Sequence, residues 1–169
     1  MIIGAVQPLI VAAFSFLIVL AALSDLATLR IPNWISIALL VLFFTFAVLE
    51  IGRSISLPLH IIVAVGLFCL GLVPYNFGWF GGGDVKLLAA VALWAGPEGV
   101  LPFLFFTTLA GAAFGLLIII GDRFLGLDGK SNANGRLSAY IPHWLQRKIV
   151  PYGLAIGVGA LLTIPALIR

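Results

Sequence analysis

Charge is what this chain has least of. Only 9% of its 169 residues are Asp, Glu, Lys or Arg, while 63% are hydrophobic. A soluble domain carries about 25% charged residues. A water-soluble globule is therefore excluded, and the composition predicts a polytopic membrane protein forming a single domain over residues 1–169. Cysteine is nearly absent. Cys69 is the only one, which excludes an intrachain disulfide framework and a cysteine-based zinc site. It lies inside an apolar run and reads as a small buried residue. Histidine is almost as scarce. His60 falls within an apolar segment, where a hydrogen-bonded interior histidine is expected, and His143 has no second histidine near it. No metal or cofactor is expected. The nine basic residues form no run, so nucleic acid is excluded as a partner.

What the chain has in quantity is apolar sequence. Six stretches stand out, at 3–23, 34–49, 55–73, 85–95, 100–120 and 149–168. A membrane helix needs about 20 apolar residues, within a range of about 17–25. The expected fold is all-α with about six transmembrane helices. The first stretch has no basic segment before it and is long enough to span, so it reads as a retained helix rather than a signal peptide. The stretch 85–95 is short for a span. It predicts a half-helix, or a short span preceded by an unwound glycine stretch that protein must cover. Gly96-Pro97-Glu98-Gly99 reads as a turn. The polar segment 121–148 reads as a surface loop carrying an amphipathic piece at 141–148. Trp79, Trp94 and Trp144 fit an interfacial belt.

The few charges sort by side. Loops after odd-numbered spans hold Arg30, Lys86, Arg123, Lys130, Arg136, Arg147 and Lys148, whereas the other side holds Arg53 and Arg169. Basic residues favour the cytoplasmic side, which places both termini in the periplasm. Asp25 and Asp84 then share the cytoplasmic edge.

Those two acids carry the chemistry. Asp25 closes the first apolar stretch, where the helix macrodipole disfavours a negative charge. Asp84 follows Gly81-Gly82-Gly83, and such glycines let a substrate backbone approach or let the chain unwind ahead of a helix. Two carboxylates held close do not both ionise easily; one activates water while its protonated partner donates to a carbonyl oxygen. Lys86 stands two residues on, close enough to tune Asp84 electrostatically. On a helix, though, that spacing turns the two side chains to different faces.

Plainer readings stand beside this one. Asp84 suits a helix N-cap, Asp25 a solvated acid at the membrane edge, and Lys86 and Arg30 suit snorkelling topology signals. Pro32-Asn33 suits a helix start, and Pro151-Tyr152-Gly153 a kinked one. A transporter or channel subunit with Asp84 as an ion or proton site is the alternative function. A structural subunit with glycines for helix packing is a third.

Taken together, Asp25 with Arg30-Ile31-Pro32-Asn33, then Gly81-Gly82-Gly83-Asp84-Val85-Lys86-Leu87, then Val150-Pro151-Tyr152-Gly153, resembles the type IV prepilin peptidase family, the G-x-G-D membrane aspartyl proteases. The resemblance implies a catalytic pair, Asp25 and Asp84, supported by Gly81, Gly83 and Lys86. It implies an aspartic endopeptidase of the inner membrane that cuts the leader from prepilins or pseudopilins at the cytoplasmic face. Its substrates are cut after a glycine that precedes an apolar stem helix. Larger members carry an N-terminal domain with paired cysteines and also methylate the new N-terminus. This chain shows no such domain or cysteine pair and looks like the short, peptidase-only form of tight-adherence (Flp-type) pilus systems. It is also similar to archaeal preflagellin peptidases.

Overall fold

In a computed structural model, residues 2–49, 56–125 and 150–167 are described. They form five helices and, among the described residues, no strand: α1 (Ile2–Thr28), α2 (Asn33–Leu49), α3 (Leu57–Asn76), α4 (Gly82–Leu125) and α5 (Tyr152–Leu167). The loop expected over 121–148 starts later than the polar composition suggested, because α4 continues through 121–125; its remainder from 126, the amphipathic piece at 141–148 and Trp144 lie outside the described residues. Three helices contain a segment long and apolar enough to cross a membrane, at Val6–Thr28, Leu57–Asn76 and Gly82–Gly121. Large apolar side chains point outward along them, among them Ile62, Leu70 and Leu101, the last 74% exposed. Soluble monomers rarely expose contiguous apolar surface on this scale. The chain is a membrane protein.

At 44 residues, α4 would be about 66 Å long if straight, roughly twice the thickness of a bilayer core. It is broken at Gly96, whose φ of 59° and ψ of −167° lie outside the helical region. The sequence suggested a turn over 96–99, but only Gly96 leaves the helix. Glycine takes a positive φ without steric cost, and Pro97 begins the next helical limb, where its fixed φ and missing N–H are harmless. The two limbs run in opposite directions. Gly71 of α3 lies against Val85 and Leu88, while His60, nearer the start of α3, lies against Gly96. Gly159 of α5 lies against Phe103 and Thr107, and Ala155, nearer the start of α5, against Gly111. Gly153 and Gly157 meet Asp25 and Ala22 in turn, so α5 is antiparallel to α1 as well.

The core is aromatic where α1, α2 and the first limb of α4 meet. Trp94 stacks with Phe46 and packs on Phe14 and Phe43, with centroids 5.0–5.7 Å apart. Its indole N–H donates to the carbonyl of Leu39 at 3.0 Å. Trp94 therefore belongs to the core and not to an interfacial belt, because that carbonyl supplies the partner a buried indole needs. Trp79 is 70% exposed, as a belt residue requires. His60 is hydrogen-bonded as expected, with Nδ1 2.7 Å from the carbonyl of Leu93, but it is half-buried rather than interior. Cys69 is exposed rather than buried, because α3 turns most of its surface away from the bundle.

Candidate active site

Asp25 sits in the last turn of α1 and is only 4% exposed. A negative charge there opposes the dipole of its own helix. The compensation comes from the far end of the chain. The Gly153 N–H, in the first turn of α5, donates to Asp25 Oδ2 at 2.7 Å. A helix N-terminus presents free N–H groups and partial positive charge, so α5 supplies what α1 withholds. The approach requires glycine, since a Cβ on residue 153 would lie 2.8 Å from that same carboxylate oxygen.

Asp84 is 8% exposed. It is not the N-cap that its position suggested. Gly82 and Gly83 are already helical, so the glycine stretch is not unwound, and only Gly81 lies ahead of α4. Asp84 occupies the third helical position and reaches back, Oδ2 accepting from the Gly81 N–H at 2.8 Å. This is half of a capping box.

Ile31 brings the two carboxylates to one end of the bundle. It is buried, and it touches both glycines beside them. A Cβ on Gly83 would lie 3.0 Å from Ile31 Cβ, and one on Gly153 2.7 Å from Ile31 Cδ1. The turn that delivers Ile31 is tied down locally. Leu29 adopts a positive φ of 53°, a conformation that costs a non-glycine residue about 1–2 kcal/mol. Ser24 Oγ donates to the carbonyl of Arg30 at 2.9 Å, and Thr28 Oγ1 donates to the Ser24 carbonyl at 2.8 Å.

Lys86 points elsewhere. Its Nζ donates to Asn33 Oδ1 at 2.9 Å on the exposed surface, at the mouth of an apolar groove of about 430 Å³ between α2, α3 and α4. Neither aspartate lines that groove.

A family model, that of the type IV leader peptidase family, matches residues 11–116. The chain belongs to this family. The matched segment holds both aspartates and all three glycines of Gly81-Gly82-Gly83. No curated protein and no solved structure matches the chain. Membership of the type IV leader peptidase family supports a peptidase that works in a membrane.

The geometry adds residues that sequence reasoning passed over. Ile31, Tyr152 and Gly153 stand in the motifs that carry the resemblance, but the sequence assigns none of them a role, although a glycine at a helix N-terminus is a signal for close backbone approach. Phe80, whose ring centroid is 4.4 Å from that of Tyr152, borders the glycine stretch and has no assigned role either.

Proposed function

We propose that this chain is an aspartic endopeptidase that removes the leader from type IV prepilins or pseudopilins of the Flp type, with Asp25 and Asp84 as the catalytic pair. The observation that carries the reading is that two buried carboxylates, each accepting a glycine N–H, belong to segments that both pack on Ile31. In the reaction one ionised carboxylate takes a proton from water, and the water oxygen attacks the scissile carbonyl carbon. The protonated partner donates to the carbonyl oxygen. The resulting gem-diol collapses as the C–N bond breaks and a proton passes to the leaving nitrogen, which restores one carboxylate and one carboxylic acid. Gly81 and Gly83 support the pair by leaving room for the backbone at the mouth of α4.

The topology that goes with this reading has six membrane crossings, α4 supplying two, with both termini in the periplasm and the carboxylates at the cytoplasmic edge of the inner membrane. The reversal at Gly96 and the basic residues Arg30 and Lys86 near the aspartates favour it. No N-methylation accompanies cleavage in this reading.

The test is co-expression with prepilins of the Flp type, followed by their mobility shift. Wild type cleaves. Asp25→Asn and Asp84→Asn insert and fold but lose cleavage by at least about 100-fold, within the range typical of acid–base groups. Processing at the wild-type rate by either variant removes the dyad.

A further inference from the structure

The two carboxylates are held in the same way. Asp84 accepts the N–H of Gly81, and Asp25 that of Gly153. Each glycine is preceded by an aromatic residue, Phe80 and Tyr152, and these two rings lie against one another with centroids 4.4 Å apart and planes inclined by 47°. A glycine has no side chain with which to fix its segment to a neighbour. Here the residue before each glycine supplies that fixture.

We propose that Phe80 and Tyr152 form a clasp that ties the two carboxylate-holding segments together and sets the separation of Asp25 and Asp84. They are positioning residues in the peptidase reaction. The part played in the reaction rests on the proposed function; the clasp itself rests on geometry alone.

The surroundings fit this role. Pro151 is fully buried and fixes the backbone immediately before Tyr152. The segment ahead of α4 turns at Gly78, whose φ is +74°. The other two aromatics of that segment, Phe77 and Trp79, are occupied with each other at 5.5 Å and are 68% and 70% exposed, so they do not substitute. The Tyr152 hydroxyl makes no hydrogen bond among the described residues, which leaves the ring face as the working part. A contact of this kind shifts the closed population by roughly two- to tenfold. The effect on rate is larger, because a misplacement of about 1 Å at a reacting centre costs about 100-fold.

Two measurements test it. In the first, nitroxides are placed at Ala27→Cys and Trp79→Cys in a Cys69→Ser background, and the distance between them is read by pulsed electron resonance. Both positions are exposed. The distribution is expected to be narrow in the parent and in Tyr152→Phe. It broadens in Phe80→Ala, Tyr152→Ala and the volume-conserving Tyr152→Leu. A distribution in Tyr152→Leu that overlays the parent overturns the clasp, whatever the activity. In the second, cleavage of a prepilin of the Flp type is followed. Phe80→Ala and Tyr152→Leu lower kcat about 10- to 100-fold with KM within about threefold, the double variant is no worse than the singles, and Tyr152→Phe restores wild-type turnover. A rise in KM at constant kcat overturns the positioning role in favour of substrate contact. Broadening in variants of a parent that cleaves no prepilin or pseudopilin in a panel processed by an active family member keeps the clasp and removes the proposed peptidase reading, so the two failures are distinguishable.

Discussion

The Gly153 N–H donates to Asp25 Oδ2 across 2.7 Å, which joins the last turn of the first helix to the first turn of the last. The bond places the favourable end of one helix dipole against a carboxylate that its own helix disfavours. It also explains why residue 153 carries no side chain. Gly153→Ala puts a methyl group 2.7–2.9 Å from Ile31 Cδ1, Asp25 Oδ2 and Asp25 Cβ. The expected result is a stability loss of ~1–3 kcal/mol and a fall in cleavage of at least about 100-fold. Unfolding in mixed detergent micelles and the processing assay read the two separately. An alanine variant that is as active and stable as the parent contradicts this account of the site.

Adjacent glycines are expected to behave differently. At Gly83 a Cβ meets Ile31 Cβ at 3.0 Å and the Ile31 carbonyl at 3.1 Å, with backbone among the obstacles. At Gly82 the nearest atom is Tyr75 Cε2 at 3.6 Å, an ordinary contact. Gly82→Ala therefore stabilises α4 by about 0.5–1 kcal/mol through helix propensity and keeps activity. Gly83→Ala destabilises by ~1–3 kcal/mol and impairs cleavage. Thermal unfolding of the pair, compared side by side, reads the sign of each change.

Lys86 spends its ammonium on Asn33 at the exposed surface. Lys86→Met is expected to cost under about 1 kcal/mol, since an exposed hydrogen bond contributes little. Turnover stays within about threefold of wild type. A loss beyond about tenfold in the processing assay restores an electrostatic role toward Asp84.

Trp94 anchors the aromatic core. Trp94→Phe removes its N–H bond to the Leu39 carbonyl and is expected to cost ~1–2 kcal/mol. Trp94→Ala also opens a cavity among Phe14, Phe43 and Phe46, at ~3–5 kcal/mol. Equal costs for the two variants in a detergent unfolding titration argue that ring volume contributes nothing.

The helices were legible because membrane spans announce themselves by length and apolarity. The starts at Asn33 and Leu57 lie within two residues of the apolar runs at 34–49 and 55–73. Legibility failed where one residue settles the local path. Gly96 alone makes the bend that four turn-forming residues suggested, and Leu29 takes a positive φ that no leucine signals. It failed also for facing. Trp94 and Cys69 both sit in apolar runs, and only the packing of neighbouring helices tells which of them turns inward.

Asp25 and Asp84 were identifiable from sequence, because a carboxylate at the edge of an apolar run is costly and a glycine run beside one is conspicuous. The sequence by itself determined the membrane class, the all-helical character and the place of the two acids at the edges of apolar runs, since these follow from composition and local order along the chain. Only the tertiary structure decided how the acids are held. The N–H that satisfies Asp25 lies at the far end of the chain, the residue packed on both carboxylate-holding glycine segments is Ile31, and the rings of Phe80 and Tyr152 that pack together belong to separate segments. Such contacts depend on which helix faces meet, and no local pattern of residues encodes that.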